Sequence, residues 1–343
     1  MTYARSGVDR AATREALSAL LAPVRYRPPA AHGRPIAKPG HYAGLISVGR
    51  ETIAATTDTV GTKVLIAAEL REWRDVGEDM VAINVNDLAS VGARPFGIVD
   101  TISCAKPDPA IFAEIGVGLN RGLRAGRCAL LGGETAVVPD IVDGIDLGAT
   151  ALGFFPGHRR PITGERIRPG DALIGIPASG AHANGFTLIR RLLASRRVNL
   201  RSRRPGAAGP VGLELLRATR SYVPASEALA DLPSTHGFAH LSGGGVRNLT
   251  RLNRRVGFRL DEWPQVPPLF TWLQGLGRVT DREMFQTFNM GIGFVAIVSG
   301  VRADESLQRL RDAGVRDARR IGTVSPEPGV RLPQWELEYE GYA

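Results

Sequence analysis

The sequence predicts a two-domain protein of the α+β or α/β class. Three observations carry this expectation. The chain has 343 residues, more than one ordinary hydrophobic core organises. Short apolar runs of strand character alternate with longer runs of helical periodicity. The alternation stops in a Pro- and Arg-rich segment, Pro156 to Pro169, and restarts at "RPGDALIGIPAS", Arg168 to Ser179. Domains are therefore expected at residues 1–160 and 161–343.

The first half opens with an amphipathic stretch, Asp9 to Leu21, followed by a Pro-rich stretch and "KPGHYAG". Strands are expected at Glu51–Thr57 and Phe96–Ser103, with helices at Asp79–Val91 and Pro109–Ala125. Ala129–Gly132 and Leu147–Phe155 read as two more strands. In the second half, strands are expected at Ala172–Ile176, Gly257–Leu260, Ile292–Val298 and Arg320–Val324. Helices are expected at Asn184–Leu193, Leu213–Thr219, Pro224–Ala230, Pro268–Leu276, Asp281–Phe285 and Asp304–Ala313. No short-period repeat and no low-complexity tract interrupts them.

Composition narrows the function. Apolar residues make up 43% and charged residues 22%, a globular balance. The net charge is +9, from 43 basic and 34 acidic side chains, which raises nucleic acid as a partner. The arginines are scattered, however, and aromatics are only 6%, so stacking platforms are scarce. A small anionic substrate suits the charge equally well. The one dense run, Arg196, Arg197, Arg201, Arg203 and Arg204, lies in a Pro/Gly-rich loop. It reads either as a solvated loop or as a contact for an anionic ligand. Cys104 and Cys128 have no metal-ligand spacing and read as reduced core thiols. No apolar run approaches the ~18 residues of a membrane helix. No signal-peptide pattern opens the chain, so a cytoplasmic protein without a membrane partner is expected.

Only three of the basic residues are lysines: Lys38, Lys63 and Lys106. In so arginine-rich a chain, a lysine reads either as a chance survival or as a place where a compact ammonium serves and a planar guanidinium does not. Lys63 lies in "TTDTVGTKV", Thr56 to Val64, which reads as a polar turn or as a phosphate-handling loop.

Other segments carry chemistry. There is no Walker loop, no G-x-G-x-x-G after a strand, no H-E-x-x-H and no nucleophile elbow. In "DMVAINVNDLASVGARP", Asn84 and Asp87 share one side of an apolar helix. A carboxylate there needs a partner, and magnesium is one, solvent or a cap another. "LLGGETAVVPD" ends an apolar run in Gly132-Gly133-Glu134-Thr135, either a ligand-binding strand end or an ordinary glycine turn. "SGAHANGF" places His182 before a helix start that favours anions, and "HLSGGGV" repeats the theme at His240.

In this order, "TDTVGTK", "NVNDLASVGARP", "GGETA", "SGAHANGF", "AHLSGGG" and "EMFQTFNMGIGF" resemble the signature segments of the phosphoribosylformylglycinamidine cyclo-ligase family. The likeness runs from "SGVD" near residue 6 to "IGTV" near 321, and the "GHYAG" form is similar to an archaeal-type branch. The resemblance implies ATP-dependent closure of formylglycinamidine ribonucleotide to aminoimidazole ribonucleotide in purine biosynthesis, by phosphorylation of the formamide oxygen. It implies ATP and Mg2+ as cofactors. It also implies a homodimer whose N-terminal sheets pair into a shared barrel, and a C-terminal α/β substrate domain.

Residue by residue, the resemblance puts Asp58, Asp87 and Glu134 on the metal. Asp58, Thr59, Gly61, Thr62, Lys63, Asn86, Asp87, Gly133, Glu134 and Thr135 would face the nucleotide. His182, Asn184, Gly185, His240, Ser242, Gly243, Gly244, Gly245, Thr287 and Asn289 would face the substrate. His182, Lys63 and Asp58 would be catalytic. Two departures stand out. Thr59 occupies a position where the family has glycine, and Val137 one where many members have glutamate. They keep open a paralogue acting on a related ribonucleotide. Relatives that make thiamine phosphates, selenophosphate or mature hydrogenases fit the motif order less well; selenophosphate chemistry would usually want a cysteine in the N-terminal region and maturation chemistry one at the C-terminus, and neither is there. A non-catalytic subunit would not need the intact Asp58, Lys63, Asp87 and Glu134.

Overall fold

The computed structural model describes residues 10–26, 29–36 and 40–342. The segment "SGVD" and Lys38 lie outside the described residues. The amphipathic start forms α1 (Arg10–Leu21), whose Leu17, Leu20 and Leu21 stay exposed.

The first half is built on a six-stranded sheet: β1 (Arg34–Pro35), β2 (Gly44–Val48), β3 (Glu51–Thr59), β4 (Arg94–Cys104), β5 (Ala129–Val137) and β6 (Ile145–Phe154). Its order is β1-β2-β3-β6-β4-β5, antiparallel except for the β4–β5 pair. Helices α2 (Val64–Leu70), α3 (Arg74–Ala89) and α4 (Pro109–Gly126) complete it. The parallel β4–β5 pair needs a crossover, and α4, capped by Asp108 accepting from the Ala110 N–H, provides it. α3 packs on α4 and on β3, β4 and β6. Val76, Val81, Val85 and Leu88 are fully buried on it, each worth about 1.5–3 kcal/mol of apolar burial. Among the described residues, no helix is seen to cover the other face of the sheet. Val99, Phe96 and Leu131 remain 37%, 38% and 55% exposed there and on the β5 edge.

The second half is a seven-stranded sheet: β7 (Ala172–Pro177), β8 (Thr235–His240), β9 (Gly257–Arg259), β10 (Ile292–Val298), β11 (Arg319–Ser325), β12 (Gly329–Leu332) and β13 (Leu337–Tyr339). The order is β13-β12-β9-β11-β7-β10-β8, with only the β12–β9 pair parallel. Helices α5 (Phe186–Ser195), α6 (Val211–Leu216), α7 (Val223–Ala230), α8 (Pro268–Gly277), α9 (Asp281–Thr287) and α10 (Ala303–Asp312) surround it. β7, β8 and β10 are buried almost throughout, which explains the unbroken apolar runs of β7 and β10.

One expectation of the strand pattern changes. "LLGGETA" does not end a strand: Gly132 to Thr135 lie inside β5, opposite a register shift between Ile98 and Val99. Within one chain the first sheet is open, with β1 and β5 as its edges.

Candidate functional site

α3 is the seam between the halves. Its buried polar groups are matched by the 217–222 segment of the second half. Asp79 Oδ1 accepts from the Thr219 N–H at 2.8 Å and from its hydroxyl at 2.5 Å. Asn86 Nδ2 donates to the Arg220 carbonyl at 2.9 Å, and its Oδ1 accepts from the Tyr222 N–H at 2.7 Å. Both ends of Asn86 are thus occupied and it is fully buried. The resemblance placed Asn86 at the nucleotide; the structure uses it to hold Tyr222 instead.

Beside this seam lies a cluster of titratable groups. Asp87, one residue further along α3, has Oδ1 3.0 Å from His240 Nδ1 at the end of β8. That contact orients the ring with its Nδ1–H on the carboxylate and leaves Nε2, which is buried and has no partner. His182, in the turn between β7 and α5, lies with its ring centre 6.2 Å from that of His240. Its Nδ1 is likewise buried and unpartnered, while Nε2 approaches the Tyr222 hydroxyl at 3.5 Å. Burial holds His182 well below the usual histidine range, assisted by His240, Lys63 and Arg220. It is a neutral imidazole at pH 7.

Asp58 closes the cluster on its exposed side, near the end of β3. Burial of its carboxyl among neighbouring chain, then the charge of Asp87, push it above the usual carboxylate range.

The three carboxylates expected on one metal do not converge. Asp58 pairs with Ala149, which in turn pairs with Asp100, whereas Thr59 pairs with Gly148, and the same row continues through Thr101 to Glu134. Alternate residues point to opposite faces. Asp58 therefore shares the helix-covered face with buried Ala54 and Ala149, and Glu134 shares the open face with Thr59. The two are also three strands apart, about 14 Å. Among the described residues no three His, Cys, Asp or Glu side chains form a metal-binding group. Asp58 and Asp87 remain as a pair; Glu134, Gly133 and Thr135 sit away from it on edge strand β5.

Lys63 is also placed differently from expectation. It is 0% exposed, and its Nζ lies 2.6 Å from Asp79 Oδ2 and 2.9 Å from the carbonyls of His182 and Arg217. A buried ammonium surrounded by three oxygens has no proton left for a phosphate. Thr59 is unstrained: it ends β3 in strand geometry opposite Gly148, and the left-handed backbone falls two residues later at Gly61, φ +65°. Thr62 Oγ1 meets Thr187 Oγ1 across the seam at 3.1 Å.

The substrate-side residues divide. Asn184 is half-buried against Gly243, where an added Cβ would lie 3.0 Å from its Oδ1. Ser242 Oγ accepts from Asn248 at 3.4 Å. Gly245 has φ +55°, and a Cβ there would strike the Phe285 carbonyl, so packing alone demands glycine. Gly244 is similarly filled by Asn248 and the Tyr342 ring, and Gly185 by the Phe288 ring. Asn289 is spent on the Gly180 carbonyl and the Gly291 N–H, each at 2.9 Å. Thr287 Oγ1 is buried without a partner. The segment after the glycine triplet is a 3-10 turn, Gly245–Arg251, and not an α-helix.

Sequence reasoning missed Tyr222, Asp79 and Gly293. A Cβ at Gly293 would collide with the Tyr222 hydroxyl and the His182 ring. "MGIGF" was visible as a glycine-rich segment, but only the packing of β10 beneath His182 explains its second glycine.

A two-carboxylate, two-imidazole cluster therefore sits on the seam of two α+β halves. Residues 40–155 match the N-terminal domain, and 168–333 the C-terminal domain, of AIR synthase related protein. The chain belongs to this family. It is similar to the phosphoribosylformylglycinamidine cyclo-ligase of Methanothermobacter thermautotrophicus, 41% identical over 327 residues, covering 95% of this chain and 94% of that one. It is equally similar to that of Thermococcus gammatolerans, 41% identical over 342 residues, covering 98% and 99%. Among solved structures it superposes on the HypE–HypF complex (TM-score 0.66, 16% identity, 92% of this chain and 95% of the other). It also superposes on AaThiL complexed with AMPPCP and TMP (TM-score 0.65, 14% identity, 97% and 96%). At such identities the structural likeness concerns the fold alone.

Proposed function

We propose that this protein is an ATP-dependent cyclo-ligase that converts formylglycinamidine ribonucleotide to aminoimidazole ribonucleotide, ADP and phosphate in purine biosynthesis. Near-full-length similarity to enzymes of that name supports the reaction. The single structural observation that carries it is the Asp87–His240 contact at 3.0 Å beside Asp58 and His182.

The residues divide the work as follows. ATP phosphorylates the formamide oxygen and turns it into a leaving group. The amidine nitrogen that closes the ring must then lose a proton. His240 Nε2, bare because Asp87 holds the opposite nitrogen, is the acceptor. His182 is neutral and lends a second ring nitrogen to orient the substrate. Burial of both rings excludes water, which would hydrolyse the phosphorylated intermediate. Asp58 and Asp87 fit Mg2+: they supply hard oxygen donors, and their mutual repulsion is what a divalent cation relieves. Bound there, Mg2+ would neutralise phosphate charge. Asn184 and Ser242 line the substrate side, and Gly61 and Thr62 the nucleotide side.

A homodimer completes this reading. The open face of the first sheet and edge strand β5 expose Phe96, Val99, Leu130, Leu131 and Val137, an apolar surface that a second copy covers well. Such pairing would close the expected barrel and bring Glu134 and Thr135 to an interface. We assign the protein to the cytoplasm as a biosynthetic enzyme; among the described residues no helix is long and apolar enough to cross a membrane.

The direct test is incubation with formylglycinamidine ribonucleotide, ATP and Mg2+. Aminoimidazole ribonucleotide should form at enzymatic rates, with one ADP per ring closed. ATP turnover without that product would overturn the assignment and favour a paralogue acting on another ribonucleotide.

A further inference from the structure

Lys63 connects four separate pieces of chain. It ends the turn Gly61–Lys63, five residues after Asp58. Its ammonium meets the Asp79 carboxylate at 2.6 Å on α3 of the first half. It donates at 2.9 Å to the carbonyls of His182 and Arg217 in the second half. Asp79 in turn binds the N–H and hydroxyl of Thr219, two residues beyond Arg217. The cage is closed: both side chains of the ion pair are 0% exposed.

His182 has φ +60°, the left-handed region that a residue with a Cβ avoids unless its surroundings enforce it. Its own carbonyl accepts from the Lys63 ammonium at 2.9 Å. The ring carried by this backbone lies with its centre 6.2 Å from that of His240, its Nδ1 unpartnered and its Nε2 near Tyr222.

We propose that Lys63 is a positioning residue: its ammonium clamps the His182 backbone across the seam of the two halves and thereby aims the His182 imidazole into the active site. This rests on the reading of His182 as part of that site. It also explains the lysine. Three protons on one nitrogen suit a compact cage of three oxygens, and a planar guanidinium does not fit it. The clamp further ties the strand end that carries Asp58 to the loop that carries His182, so the nucleotide side and the substrate side move as one body.

The test compares Lys63→Met with the double variant Lys63→Met/Asp79→Leu. The single variant leaves a buried carboxylate unpaired and should lower Tm sharply. The double variant removes both charges and should recover most of the Tm. The clamp predicts that the recovered double variant keeps kcat reduced at least ~50-fold, with KM for ATP within about 3-fold of wild type. It also predicts that His182, followed by NMR of its ring nitrogens beside His240, Tyr222 and Arg220, titrates closer to an ordinary histidine than in wild type. Wild-type kcat and an unchanged His182 titration in the double variant would overturn the proposal. So would a 10-fold rise in KM for ATP with kcat intact, which is the signature of a phosphate contact. Should His182→Ala retain full activity, the role of His182 falls, while the NMR comparison still decides whether Lys63 holds its loop.

Discussion

His240 Nδ1 and Asp87 Oδ1, 153 residues apart in the chain, lie 3.0 Å from each other. The contact joins a helix of the first half to a strand of the second and decides which nitrogen of His240 is free. Asp87→Asn can present its amide N–H to the ring and turn the imidazole to the wrong tautomer. Steady-state assays should show kcat lower by about 10²-fold or more, with Tm little changed. Undiminished turnover would remove His240 as proton acceptor.

Acid should destabilise the protein through His182. Its folded value lies well below the usual 6.5. Between those two values the unfolded chain binds a proton that the folded chain excludes, so stability falls as pH falls below about 6.5. Each such group contributes a slope of about 1.4 kcal/mol per pH unit. His41 is lowered too, chiefly by burial. Denaturant melts at pH 5.5 and 6.5 should therefore show a steep loss in wild type. In His182→Gln the loss should be smaller by one proton's worth, and an equal loss in both would refute the assignment.

Gly293→Ala places a methyl group on the Tyr222 hydroxyl and the His182 ring. It should cost roughly 1–3 kcal/mol in stability by overpacking and reduce kcat more than KM. Adding Tyr222→Phe removes the oxygen that the methyl strikes and should restore part of the stability in thermal melts.

Leu131→Asp puts a charge on an edge strand where the wild-type side chain is 55% exposed. If the open sheet meets a second copy, wild type should sediment as a dimer and the variant as a monomer, with little change in the chain's own fold. A wild-type monomer would show that the edge is simply exposed.

The element pattern was legible because burial leaves periodic traces. The unbroken apolar runs of β7 and β10 and the capped start of α4 could be read one residue at a time. Asp87 stood out as a carboxylate on an apolar helix, and His182 and His240 as histidines in Gly-rich segments, whereas Asp58 was singled out by the family resemblance. Spacing along the chain says nothing about which face of a sheet a residue takes in its final register, and so Asp58 and Glu134 looked like partners. Likewise, a rare lysine is visible in a sequence, but whether its ammonium meets phosphate or protein depends on what lies around it. For Lys63 the answer is carbonyl oxygens 119 and 154 residues away. Local chemistry determined which residues stand out; long-range packing alone decided which of them meet one another, because hydrogen bonds and burial are settled by neighbours in space.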